Sequence, residues 1–175
     1  AETECGSGLT RFGRRLVREM NRLGLLVDVS HIAPRGFWDV LEHSERPVIA
    51  SHSCCHSLCD HPRNLKDHQL RGLADAGGVV GITFVTSFLH PEWAHELHPP
   101  GGLERVVEHI DHAVQTIGAE HVAIGSDFDG GGTALGSVAE MARLTAAMLD
   151  RGYGEEAVRG ILGGNVLRLL EASIG

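Results

Sequence analysis

The chain has 175 residues, 42% of them apolar and 22% charged, which suffices for one domain with a hydrophobic core and gives no sign of disorder. Its formal net charge of −8 argues against broad nucleic-acid binding, which needs a basic face. No stretch reaches the roughly 20 apolar residues of a membrane-spanning helix, and Ala1-Glu2-Thr3-Glu4-Cys5-Gly6 has neither a basic start nor an apolar signal core, so the expectation is a cytoplasmic protein without a membrane segment.

In chain order, residues 9–23 predict an amphipathic helix capped by Thr10 and closed by Gly24, with Phe12, Leu16, Met20 and Leu23 on one face. A first strand follows and ends near His31. Residues 34–42 fit a short helix with Pro34 in its first turn, and residues 47–51 a second strand with His52 directly after it. Residues 60–67 are polar and turn-rich, and Asp67 is placed to cap a helix running to about Ala76, where Gly77-Gly78 stops it.

Residues 79–85 predict a third strand, residues 103–117 a helix after a Pro- and Gly-rich loop, and residues 121–126 a fourth strand. A glycine loop at Asp129-Gly130-Gly131-Gly132 precedes helices over residues 138–150 and 155–172, the second broken at Gly163-Gly164. The fold class is therefore α/β, with four parallel βα units in a single domain over residues 1–175. Four strands form either an open doubly wound sheet or half of an eight-stranded barrel; a complete barrel takes about 250 residues.

Chemistry in such folds is built at the carboxyl ends of strands. The runs Leu25-Leu26-Val27-Asp28-Val29-Ser30-His31 and Pro47-Val48-Ile49-Ala50-Ser51-His52 end in histidine, and His121-Val122-Ala123-Ile124-Gly125-Ser126-Asp127 ends in a carboxylate. Two imidazoles and a carboxylate suit a catalytic zinc, which takes N and O ligands and keeps a position open for water. Plainer readings stand beside this one. Either histidine can serve as a loop cap, and Asp127 and Asp129 can simply order the glycine loop.

Arg63 can grip a substrate carboxylate in bidentate fashion, or form a surface salt bridge. His109 and His112, beside Glu108 and Asp111, read as a solvated helix face, and His90, His95 and His98 as exposed loop residues or a lid. Cys5, Cys54, Cys55 and Cys59 lack paired zinc-site spacing and are expected to be reduced, structural thiols; a catalytic cysteine paired with His52 or His56 is the sharper alternative.

Five ordered motifs carry a resemblance. Leu23-Gly24-Leu25-Leu26-Val27-Asp28-Val29-Ser30-His31, Pro47-Val48-Ile49-Ala50-Ser51-His52-Ser53, Arg63-Asn64-Leu65, Gly125-Ser126-Asp127-Phe128-Asp129-Gly130 and Gly163-Gly164-Asn165-Val166-Leu167-Arg168 resemble the renal or membrane dipeptidase family, including the 21-residue interval between the two histidines. The resemblance implies a (βα)8 barrel with a two-zinc centre that hydrolyses dipeptides. It implies His31 and His52 as ligands of one zinc, Arg63 as the residue that binds the substrate carboxylate, and Asp127 as the acidic residue that contacts substrate and handles the proton.

The family's His-x-Asp pair, its metal-bridging Glu and its oxyanion-stabilising His precede the matched region and have no counterpart here, so the chain resembles the C-terminal half of the barrel, with the N-terminal half absent. Cys54-Cys55 also stands where the family usually has small residues. The expectation is a partial zinc site holding at most one ion, completed in a homo-oligomer or by a complementing N-terminal half. Another metal-dependent amidohydrolase, or a noncatalytic remnant that binds metal or a partner, are the alternatives.

Overall fold

In the computed structural model, which describes residues 6–94 and 96–174, helices alternate with short parallel strands. Helix α1 (Arg11–Arg22) starts where the Thr10 side chain accepts the Gly13 amide at 3.1 Å, a cap contributing about 1 kcal/mol. Its buried residues are Val17 and Asn21, whereas Phe12, Leu16 and Leu23 are 67%, 47% and 55% exposed. Of the expected inner stripe only Met20 packs against the core; the other three turn outward, because the side of α1 facing α2 (Pro34–His43) and the turn after it is the Val17 side, where Asn21 Oδ1 accepts from the Glu45 amide at 2.6 Å.

Strands β1 (Ile49–Ser53), β2 (Val79–Ile82) and β3 (Val122–Ile124) form one parallel sheet in that order. The expected first strand is reduced to a single parallel bridge between Asp28 and Ile49, flanked by backbone bonds from Val29 to Ile49 and from Ile49 to Val27. It lies alongside β1 nonetheless, so four successive chain segments run parallel in sequence order. Helix α2 lies between the first segment and β1, α3 (Asp67–Asp75) between β1 and β2, and α4 (Thr86–Leu89) with α5 (Gly102–Ile117) between β2 and β3. This is the order of consecutive βα units.

Alternation along the strands serves both sheet faces. Ala50, Val80, Ile82 and Val122 join the large core with Phe37, Leu70, Leu73 and Ile110 of the helices. Ile49, Val79 and Ala123 point to the opposite face, where Leu169 and Val166 of α8 (Asn165–Ile174) cover them. Helices α6 (Met141–Asp150) and α7 (Glu155–Arg159) precede α8, and the chain is interrupted at Gly160–Gly164 as the glycine pair predicts.

Three other expectations are corrected. Lys66 rather than Asp67 occupies the cap position of α3, and the Asp67 carboxylate instead receives Ser57 at 2.9 Å and His112 at 2.8 Å. His52 lies inside β1 rather than after it. His109, expected on a solvated face, is fully buried because α5 turns it toward the end of β1. His112 is partly buried in its Asp67 pair. No described helix is long and apolar enough to cross a membrane. Cys5 and His95 lie outside the described residues.

Candidate metal centre

A bulge in β1 aims the site. Ile49 and Ala50 pair with Val79 and Val80, but Ser53 pairs with Ile82, so three steps on β1 span two on β2 and the ladder slips at Ser51-His52. There the Ser51 carbonyl points at the backbones of Gly81 and Gly125, and a Cβ on either glycine would collide with it. These two glycines permit the bulge, and the bulge carries His52 to the strand end.

His31, in the turn after the bridged segment, meets His52 with Nε2 to Nε2 at 2.9 Å and ring centres 4.9 Å apart. Two nitrogens bound to one tetrahedral zinc at about 2.05 Å would be about 3.3 Å apart, so the pair fits a shared metal after a few tenths of an ångström of movement. Burial lowers the pKa of His52, and Arg63 and His31 add to the effect against the opposing charges of Asp127 and Asp28; the net shift is down, toward the neutral, ligating form. Among the described residues no group of three or more His, Cys, Asp or Glu is gathered as a ligand set.

Behind His52 stands a polar network. Ser51 Oγ lies 2.7 Å from His52 Nδ1 and donates to Asp28 Oδ2 at 2.5 Å. Asp28 Oδ1 accepts the Ser30 and Ser51 amides at 3.0 and 3.1 Å, and Ser30 Oγ accepts the His52 amide at 2.9 Å. Loss of water around Asp28 pushes its carboxyl up, but the hydrogen bonds from Ser51 and Ser30 together outweigh this and hold it below the usual range. Reasoning from the sequence missed Asp28, Ser30 and Ser51. The available signal was a charged residue inside an otherwise apolar run, with serines immediately before each histidine.

Arg63 reaches the same rim. Its Nε donates to the Ser30 carbonyl at 2.8 Å, and the guanidinium carbon sits 5.2 Å from the centre of the Phe88 ring. It borders a cavity of about 210 Å³ lined also by Ile32, Phe37, His56 and Lys66. The next residue, Asn64, is buried: it accepts the Cys54 amide at 3.1 Å and donates to the Cys59 and Phe88 carbonyls at 2.9 and 2.8 Å, pinning the loop that carries Arg63.

Asp127 follows β3 in the left-handed region, φ 53°, an unfavourable conformation for a residue with a Cβ, and it is half-buried with its side chain over Gly130. Its charge acts on His52. The structure therefore gathers His31, His52 and Arg63 at the strand ends, with the charge of Asp127 reaching His52. His98 does not join them: its Nδ1 lies 2.8 Å from the Thr133 carbonyl.

Cys54, Cys55 and Cys59 are free and buried. Burial drives the Cys54 thiol well above its ordinary pKa and Cys55 up to about 12, so neither is a ready nucleophile beside His52.

The profile of the membrane dipeptidase family, peptidase family M19, matches residues 1–173. An uncharacterized protein from the pqqA 5′ region of Klebsiella pneumoniae is 41% identical over 170 residues, 96% of this chain and 62% of its own. Dipeptidase tcpJ of Claviceps purpurea is 39% identical over 174 residues, 97% of this chain and 40% of its own. Among solved structures, a metallopeptidase from Rhodobacter sphaeroides, liganded with a phosphinate mimic of the dipeptide L-Ala-D-Ala, superposes with a TM-score of 0.90 at 40% identity, over 96% of this chain and 48% of that one. The chain thus spans about half the length of such relatives.

Proposed function

We propose, from the premise that this chain belongs to the membrane dipeptidase family, peptidase family M19, that it supplies part of a zinc-dependent dipeptide hydrolysis site. The convergence of the His31 and His52 Nε2 atoms, from two adjacent parallel segments, carries the reading. In it, those nitrogens hold one zinc ion. A zinc ion bound there would polarise the peptide carbonyl and acidify water.

Each remaining step belongs to a side chain of this protein. Arg63, held at the rim by Nε on the Ser30 carbonyl and Nη2 on the His52 carbonyl, is the cation that binds the substrate's C-terminal carboxylate and so sets the scissile bond in register with the histidines. Asp127 accepts the proton of the attacking water and returns it to the departing amine nitrogen, so the peptide bond and water are exchanged for a carboxylic acid and an amine, which leave as carboxylate and ammonium with no net proton stored on the protein. Phe88, under Arg63, limits its swing.

Two histidines leave a catalytic zinc short of its usual three protein ligands. We place turnover in an assembly that supplies the others, a second copy or an N-terminal half. The test is zinc content by mass spectrometry, with Gly-Leu hydrolysis and sedimentation run on the same samples. The expected result is zinc uptake that His52→Ala abolishes, with turnover confined to assembled species. Undiminished uptake in His52→Ala overturns the ligand assignment, and turnover of another amide with no dipeptide cleavage overturns the substrate class.

A further inference from the structure

We infer that Asp28, acting through the Ser51 hydroxyl, is a positioning residue that sets the tautomer of His52 so that Nε2 presents a lone pair at the strand end. The inference rests on the reading of His52 as a zinc ligand, and it concerns hydrogen-bond polarity rather than charge.

Asp28 Oδ1 already accepts two backbone amides, those of Ser30 and Ser51, and this pins the carboxylate in one orientation. Its Oδ2 lies 2.5 Å from Ser51 Oγ, and a carboxylate can only accept, so the single Ser51 hydroxyl hydrogen points to Asp28. Ser51 Oγ then meets His52 Nδ1, 2.7 Å away, with a lone pair. Nδ1 must carry the ring hydrogen, and Nε2 is left unprotonated. The His52 backbone is held as well, by its amide on Ser30 Oγ at 2.9 Å, so the ring's position and polarity are set by the same short stretch of chain. In the 2.9 Å contact between the two rings, His31 Nε2 is then the donor. A ligand entering between the rings displaces a hydrogen of His31, and His52 is already in its ligating form.

Asp28→Asn tests this, since it preserves size and puts a donor where Oδ2 accepted; the charge is lost as well, and the tautomer read-out distinguishes the change of polarity from the loss of charge. The two backbone amides keep the Asn oxygen at the Oδ1 position, which places the Asn NH2 against Ser51 Oγ. That NH2 donates, the Ser51 hydroxyl turns to His52 Nδ1, and the ring hydrogen moves to Nε2, where it blocks ligation. Ser51→Ala removes the relay and leaves the tautomer unbiased.

Long-range 15N–1H correlation spectra of the metal-free chain at pH 8 report the His52 tautomer without any zinc, and titration with zinc alone gives the affinity. The expected results are Nδ1–H in the parent chain, Nε2–H in Asp28→Asn with zinc affinity lowered about 10- to 100-fold, and a mixture in Ser51→Ala. Nε2–H in the parent chain, or an unchanged tautomer in Asp28→Asn, overturns the inference. Loss of zinc uptake in His52→Ala separates this outcome from failure of the ligand reading, because the tautomer is read without metal.

Discussion

His109, fully buried in α5, accepts the Cys55 amide at Nδ1 and donates from Nε2 to the Leu89 carbonyl, each at 3.1 Å. One ring thereby satisfies backbone groups beyond β1 and at the end of α4, and the bond accepted at Nδ1 requires the neutral form. Burial lowers its pKa to about 4. The unfolded chain, with an ordinary histidine pKa near 6.5, therefore takes up a proton that the folded chain refuses until pH 4. The stability contribution is complete above about pH 6.5 and is lost as pH falls toward 4, to the extent of about 3 kcal/mol. Urea unfolding of the parent chain and of His109→Gln across that range checks it. The stability advantage of the parent shrinks as pH falls, and a constant difference would refute the assignment.

The β1 bulge links residue to site at the scale of one element. Gly81 in β2 and Gly125 after β3 face the Ser51 carbonyl, so their lack of a Cβ serves close backbone approach, not a turn. Gly81→Ala or Gly125→Ala forces that carbonyl away and displaces His52, the next residue. Each substitution is expected to cost about 1–3 kcal/mol or more in urea unfolding and to remove zinc uptake even though both histidines remain. Full uptake at near-parental stability in either variant would show that the bulge does not aim the site. The serine network should fail together with it, since Ser51 lies within the bulge and bonds Asp28.

Across the described residues, several of the exposed large apolar side chains belong to the first and last helices and to the segment after α1. Phe12, Leu16 and Leu23 of α1, Leu25, and Leu167 and Ile174 of α8 are all exposed, and Gly24 abuts Ile174 where these helices end. Zinc, if it binds only the folded chain, should stabilise all of it at once: at a hundredfold excess over its dissociation constant by about 2.7 kcal/mol. That gain is expected in a thermal or urea melt of the parent chain and not of His52→Ala; an equal gain in both would place the metal elsewhere. Read alone, the sequence determined the α/β class, the order of βα units, the Thr10 cap, the break at Gly163-Gly164 and the family, because periodicity, caps and turns are local and the motifs are long. It misjudged the faces of α1 and α5, since which stripe is buried depends on what packs there: Val17 and Asn21 face α2, and His109 faces Cys55 and Leu89. Only the tertiary structure decided that His31 and His52 meet, that Ser51 bulges over two glycines, and that Asp28 stands behind His52, because each depends on the register between segments twenty or more residues apart, set by the packing of the whole sheet.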